Sequence, residues 1–336
     1  MIHVYIDEHY PSILKEGRMK SSPSRYSIYG IVIALSCLLV NCFTFGDMDD
    51  RITKTYAVGP GGTLTIESDI GSIDVHGADI DSVEVEILRG VRRTREKRAQ
   101  QILEDFDIQF HHTGSDVTIE AKYKKKGLRG FWNNVGKYLR VKYIIAVPVE
   151  YNVDLFTKGG SITVDNLQGE VLSRTSGGSL NFDNIKGNIT GKTSGGSVSI
   201  GEVLGQTNVR TSGGSVHIKL AEGPVDAHTS GGSITVEEVV GEIKAHTSGG
   251  SVKAYLSRQP EADCSLTTSG GSITVHLSED IGVDINAKTS GGRVHTDFRV
   301  SLSGEISKNA MHGEMNGGGP ELYLRTSGGS IYLKNR

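Results

Sequence analysis

Apolar and polar residues alternate in short bursts along this chain, and the bursts recur at a fixed interval. In "SITVDNLQGEVLSRTSGG" (residues 161–178), Ile162 and Val164 form one alternating pair, and Val171, Ser173 and Thr175 form a second set nine residues on. Such alternation over a few residues predicts half-buried strands. The unit's threonine stands at Thr157, Thr175, Thr193, Thr211, Thr229 and Thr247, 18 residues apart, then at Thr268 and Thr289 with intervals of 21, and finally at Thr326. A fixed period of this size signals a solenoid, in which each turn of chain stacks on the one before. Three-sided coils of hexapeptides also close in 18 residues, but six and twelve positions after Ile162 come Gln168 and Arg174. A two-sided coil with nine-residue halves fits better.

Stacked in that register, one inward column reads Ile162, Leu180, Val198, Val216, Ile234, Val252, Ile273, Val294 and Ile331. The returning strand supplies Val171, Ile189, Thr207, Val225 and Ile243, backed by the small column Ser173, Gly191, Val209, Ala227 and Ala245. Successive coils are expected about 4.8 Å apart, joined by backbone hydrogen bonds. The recurrent "TSGGS" then falls at a turn, with the glycines expected to supply positive φ and the Thr and Ser hydroxyls to bond turn backbone. A phosphate-cradling loop would open a helix and carry a lysine, whereas every copy here opens a strand.

Residues 49–156 break the period. Leu64, Ile66, Ile73, Val75, Val83, Val85 and Ile87 alternate as strands, while "TREKRAQQILEDFDIQF" (94–110) places Ala99, Ile102, Leu103 and Phe106 at helical spacing. A short amphipathic helix is expected to cover the first coil, because solenoid ends need capping. The fold class is therefore all-β, a single-chain parallel β-helix or solenoid of about 18-residue coils with a small N-terminal α/β cap. The expected divisions are 47–156 for the cap, 157–300 for the solenoid and 301–336 for a closing segment.

Composition sharpens this reading at three points. Glycine is abundant at 44 residues while proline is only 7, which excludes collagen-like and Pro/Gly-disordered chains and makes the glycines positional. The formal charge of −3 provides no global field for nucleic acid or anionic membranes, so any electrostatic partner must be read locally. Lys20 and Arg25 precede the apolar run Ile28 to Val40, which has the length of a signal-peptide core and is short for a membrane span. Residues 19–46 are expected to direct export, with 1–18 an upstream extension of doubtful meaning and Met19 the expected start. Thr44-Phe45-Gly46 suits ordinary cleavage, and Leu39-Val40-Asn41-Cys42 offers lipidation of Cys42 as the alternative. Cleavage at Gly46 would leave Cys264 alone, on the alternation of Leu266, as a small buried hydrophobe.

The stretches "VGPGGTLTIESDIGSIDVHG" (58–77), "VKYIIAVPVEYNVDLFTKGGSITVDNLQGEV" (141–171), the repeats and "NGGGPELYLRTSGGSIYL" (316–333) resemble the putative adhesin family of bacterial cell-envelope proteins, a group of largely unknown function. The resemblance covers roughly residues 56 to 336. It implies an exported, right-handed β-helical protein and brings no catalytic residues with it.

Candidate chemistry is confined to charge. The residue before each threonine reads Arg174, Lys192, Arg210, His228, His246, Thr267, Lys288 and Arg325, and it points outward where the threonine points inward. One face thus carries a ladder of cations suited to a linear polyanion such as an acidic polysaccharide or another envelope component; a solvated strand face that deters aggregation is the plainer alternative. The stretch 122–140 interleaves Lys124, Lys125 and Lys126 with Trp132 and other aromatics, a composition suited to anionic headgroups at a membrane surface or to a glycan. Its alternative is a solvated insertion; nucleic acid is disfavoured by export. Calcium-binding nonapeptides need an Asp in the Gly turn, which "TSGGSI" does not supply. Asp165 and Asp183 share a column that continues through Gly201, Lys219, Glu237 and Tyr255, so no carboxylate cluster marks a glycan-cleaving cleft. His228 over His246 lacks a third ligand for a metal. The expected function is non-enzymatic binding or adhesion at the envelope without a cofactor; a structural or stress-linked element with no ligand is the alternative, and a polysaccharide-active β-helix enzyme a remote one.

Overall fold

A computed structural model describes residues 48–124, 136–302 and 307–336. The predicted alternation is realised as two sheets, one of 13 strands (sheet A) and one of 14 (sheet B), enclosing a hydrophobic core. The first strands are β1 (Met48–Ala57), β2 (Thr63–Ser68), β3 (Ser72–Ala78) and β4 (Ser82–Val91), followed by helix α1 (Glu96–Asp105). Then come β5 (Phe106–Thr113), β6 (Asp116–Tyr123), β7 (Leu139–Pro148), β8 (Asn152–Thr157) and β9 (Ile162–Gln168). The array continues as β10 (Val171–Thr175), β11 (Leu180–Lys186), β12 (Ile189–Thr193), β13 (Val198–Val203), β14 (Thr207–Thr211), β15 (Val216–Ala221), β16 (Val225–Thr229) and β17 (Ile234–Val239). Next are β18 (Ile243–Thr247), β19 (Val252–Leu256), β20 (Cys264–Thr268), β21 (Ile273–Leu277), β22 (Val283–Thr289) and β23 (Val294–Thr296). The chain closes with β24 (Ser301–Leu302), β25 (Ala310–Met315), β26 (Glu321–Thr326) and β27 (Ile331–Asn335).

Each coil places one strand in each sheet, and coils pair in parallel with the 18-residue register read from the sequence: Leu180 lies beside Ile162 and Val198, and Val171 beside Ile189. The inward columns are buried along the array as far as β26 and β27. Phe182 is the one bulky aromatic in its column, and Gly191 makes room for it: a Cβ at Gly191 would stand 3.2 Å from the Phe182 ring.

The TSGGS turn is architectural, but the glycines serve it for a different reason than positive φ. Gly177 and Gly178 do not adopt the left-handed region; in the same turn of the preceding coil, Gly160 does, at φ 135°. What excludes a side chain at the second glycine is the coil beneath it. A Cβ at Gly178 would stand 2.0 Å from the carbonyl oxygen of Gly160, and the equivalent atom at Gly196, Gly214, Gly232 and Gly250 would meet the preceding coil at 2.1 to 2.2 Å. The threonine hydroxyl bridges the same two coils. Thr193 Oγ1 donates to Gly178 O (2.7 Å) and accepts from Gly196 N (3.3 Å), and the pattern recurs at Thr211, Thr229 and Thr247. The final serine builds a second ladder: Ser197 N donates to Ser179 Oγ, Ser215 N to Ser197 Oγ, and so on through Ser272 and Ser330 to the backbone N–H of Arg293.

Arg293, in "KTSGGRV", replaces that serine where no further coil needs its hydroxyl. The spatial order explains this. The last three coils stack as β20/β21, β26/β27, β22/β23, so the final repeat of the sequence is inserted beneath the one before it. The column expected as Ile273, Val294, Ile331 therefore runs Ile273, Ile331, Val294, and Val294 at the end of the stack is only half-buried. The N-terminal end is built in the same way. Coil β2/β3 lies between β6/β7 and β8/β9, so the stack starts well before residue 157. The alternation from Leu64 to Val75 is itself a coil, hidden by the long insertion that separates it from its neighbour.

Antiparallel strands finish both ends: β4 and β1 beyond β7, β5 beyond β6, and β25 and β24 beyond β22. Helix α1 is shorter than the expected 94–110, because Phe106 to Phe110 join β5 as a strand. It carries the chain from β4 in sheet A to β5 in sheet B and buries Ala99 and Ile102. It is the only helix among the described residues. Where the threonine column reaches β2, its place is taken by Ser68, whose hydroxyl meets the buried Tyr143 hydroxyl at 2.8 Å. Burial pushes the Tyr143 phenol well above its ordinary value.

Two outcomes test this account. Gly178→Ala should destabilise the protein by about 1–3 kcal/mol or more through backbone overpacking. Gly177→Ala, whose added Cβ would meet nothing closer than 3.9 Å, should leave guanidinium unfolding nearly unchanged. Ser173 Oγ and Thr207 Oγ1 are buried without hydrogen-bond partners among the described residues. Ser173→Ala and Thr207→Val should therefore each raise the thermal midpoint, since removing an unsatisfied buried hydroxyl recovers about 1 kcal/mol.

Candidate functional site

The expected cation ladder occupies one outward column of sheet B. Alternation that buries Thr175, Thr193 and Thr211 turns the preceding residue to solvent, and parallel register stacks Arg174, Lys192, Arg210, His228 and His246 in successive strands. Thr267 follows, then Arg325, then Lys288. The last two are exchanged relative to chain order because β26 is inserted before β22. At the other end the column passes to Phe156, Glu67 and Glu120, so its charge changes sign within the same sheet. Lys122 sits beside that acidic end, 3.1 Å from Glu67 and 2.9 Å from Glu120, and these partners hold its ammonium above the ordinary value.

Carboxylates of the adjacent outward column meet some of the ladder. Arg174 pairs with Asp154 at 3.1 Å and lies over the Phe156 ring; Arg210 pairs with Asp226 at 3.3 Å. His228 Nε2 lies 2.7 Å from Asp226, and His246 Nδ1 2.7 Å from the Thr267 hydroxyl. Lys192 and Lys288 have no ion-pair partner among the described residues. The two arginine side chains remain about half exposed, at 49% and 52%, so their pairs contribute little to stability and leave the guanidinium groups accessible. Asp226 belongs to the mixed outward column Leu172, Thr190, Asn208, Asp226 and Lys244, for which the sequence predicts partial pairing with the ladder; Asp154, which continues that column beside Leu172, was not singled out.

The two histidine rings tilt at 47° with centroids 5.7 Å apart, beside a shallow cavity of about 410 Å³ lined also by Asp226, Lys244 and Ser265. No group of three metal-ligating side chains occurs among the described residues. Asp165 is engaged by His76 Nδ1, and Asp183 accepts from the Asn184 backbone N–H at 3.0 Å. Cys264 is buried, which raises its thiol pKa. On the outer face of sheet A, Tyr255 stacks on His276 and Tyr332 on His295, each pair within 8° of parallel. Burial, with Lys253 and Lys334 nearby, lowers the His276 pKa. These rings turn their faces to one another, an arrangement that joins coils rather than offering a flat platform.

Of the basic stretch 122–140, Lys124 bonds Asp107 at 3.4 Å, Tyr138 is half-buried, and Lys137 and Arg140 are exposed. Lys125, Lys126 and Trp132 lie outside the described residues, as do Cys42 and the export segment.

A family model, Toastrack DUF4097, matches residues 64–334. No curated protein matches the chain significantly. Among solved structures, a putative adhesin from Bacteroides fragilis NCTC 9343 is 17% identical, with 85% of this chain and 97% of that chain covered and a TM-score of 0.32. A putative adhesin from Parabacteroides distasonis ATCC 8503 is 13% identical, covering 87% and 98%, with a TM-score of 0.33. A putative lipid binding protein from the same organism is also 13% identical, covering 86% and 98%, with a TM-score of 0.28.

Proposed function

The chain belongs to the Toastrack DUF4097 family, and from that premise we propose that it is a non-enzymatic protein of the bacterial cell envelope whose solenoid binds an acidic glycan or another anionic envelope component. The observation that carries the reading is the in-register ladder Arg174, Lys192, Arg210 on adjacent parallel strands. Strand spacing puts a cation about every 4.8 Å. A linear polyanion lying along that column meets several weak contacts at once, and contacts held on one scaffold gain effective concentration over the same contacts made singly. The half-exposed pairs with Asp154 and Asp226 can open at small cost, because exposed ion pairs contribute about 0–1 kcal/mol. His228 and His246 extend the column, and Arg325 and Lys288 continue it beyond Thr267.

The neighbours described as putative adhesins are consistent in name with a surface role. Export follows from residues 19–46, with Cys42 as the lipidation point if the lipobox-like Leu39 to Cys42 is used. The exposed Lys124, Lys137 and Arg140 would place the 122–140 stretch against anionic headgroups once the protein is at a membrane.

Wild type on a glycan array should bind acidic glycans, and more weakly as salt rises. The variant with Arg174, Lys192 and Arg210 changed to Ser should lose most of that binding. Equal binding by both proteins would remove the ladder, and binding by neither would leave a structural or stress-linked element without a ligand on this face. Cell fractionation with and without globomycin should recover the chain in the envelope in both cases, with unprocessed precursor accumulating if Cys42 is lipidated. Recovery of the intact chain in the cytoplasm would overturn the envelope assignment.

A further inference from the structure

The densest positive charge among the described residues is not on the ladder. It lies at the N-terminal end of the stack, where β4 passes into α1 through "RRTREKR" (92–98). The backbone there turns through Arg93 in the left-handed region, at φ 57°, and α1 starts with Glu96. The turn brings Arg93, Arg95, Lys97 and Arg98 around a shallow, open cavity of about 670 Å³, completed by Gln101 and Tyr138. Glu96, the single carboxylate of the segment, does not line it.

The four cations are exposed, yet each is placed for a reason. Ala99 and Ile102 are buried, which turns the opposite face of α1 and its approach to solvent. Arg98 is held over the Tyr138 ring at 5.1 Å, and Tyr138 is fixed in turn where its carbonyl accepts the Arg92 backbone N–H at 3.0 Å. Arg95 and Lys97 form no ion pair with another described residue. These two like charges in one site repel one another, and that repulsion is relieved when an anion enters. Arg95 precedes α1 without a side-chain cap, so the positive end of the helix dipole adds to the field. The Arg95 guanidinium presents a planar fork that matches a tetrahedral oxyanion bidentately, with the Lys97 ammonium beside it as a point charge.

We propose that this cavity is a phosphate-binding site, taking a phosphoryl group with two or more negative charges through Arg93, Arg95, Lys97 and Arg98. It is separate from the ladder of sheet B and does not depend on glycan binding there. The phosphate can be free or carried on a lipid headgroup, and the chemistry at the cavity is the same.

Titration of the full chain with inorganic pyrophosphate by calorimetry, and co-sedimentation with phosphatidylcholine vesicles with and without phosphatidic acid, test the proposal. Wild type should bind pyrophosphate, the acidic vesicles or both, with affinity falling as salt rises. Binding to vesicles alone identifies a lipid-borne phosphate; binding to pyrophosphate alone identifies a free one. The double variant Arg95→Gln, Lys97→Gln should bind at least about tenfold more weakly, since charge-assisted contacts are lost, while its thermal midpoint stays with wild type because both side chains are exposed. The ladder variant of Arg174, Lys192 and Arg210 should retain this binding in full. If the double variant binds as well as wild type, if neither probe binds, or if a glucuronate oligomer competes as strongly as pyrophosphate, the assignment is wrong.

Discussion

The structure depends on how closely two glycines in consecutive coils approach. At the TSGGS turn the backbone of one coil lies against the carbonyl of the coil before it, so close that a Cβ there would stand only 2.0 to 2.2 Å from that oxygen. Coils joined by sheet hydrogen bonds must keep about 4.8 Å spacing at every point, and a turn bearing a Cβ would hold them apart. Once the glycine permits contact, the threonine hydroxyl bridges the two turns and the serine hydroxyl takes the next coil's N–H. Polar groups that would be stranded at a buried bend are thereby paired, which removes a cost of about 1–3 kcal/mol for each one left unsatisfied. The inward columns follow from this spacing, because like residues in register stack directly over one another.

Such a stack has a weakness at its ends, where unpaired strands can recruit further chains. Both termini resolve it in the same way. The first coil of the sequence and the last are each enclosed between two others, and the outer position goes to a coil extended by antiparallel strands. The extensions reverse direction at β4, β5 and β25, each antiparallel to the coil strand it joins, while sheet A ends at β23, parallel to β27. The loss of the ladder serine at Arg293 fits this arrangement, since an outermost coil has no neighbour to bond.

A scaffold of this kind makes surface chemistry a matter of columns. A residue type repeated every 18 positions becomes a row along the sheet, as Arg174, Lys192 and Arg210 do, and a carboxylate one column away is within reach of it. The same geometry stacks Tyr255 on His276 and leaves Asp183 above Gly201, where a Cβ would strike its carboxylate. Outside the periodic part, at the start of α1, the chain gathers four cations around a shallow cavity.

Strand pairing and the inward faces were legible in the sequence, because an 18-residue period with alternating burial allows one register: a shift by one residue would turn every core side chain outward. The outward placement of the ladder followed from the same alternation. The reason for the glycines was not legible, since a residue required by positive φ and one required by contact with another coil look alike in a single repeat. The order of the end coils was hidden too. β2/β3 and β8/β9 are adjacent in space but separated by more than 70 residues of insertion, and β26/β27 fits between two coils that precede it. The ion pairs with Asp154 and Asp226 and the cavity at Arg95 also required coordinates. Periodicity determines what repeats with it; contacts between segments that do not share the period are decided by where the chain returns, and only the tertiary structure sets that.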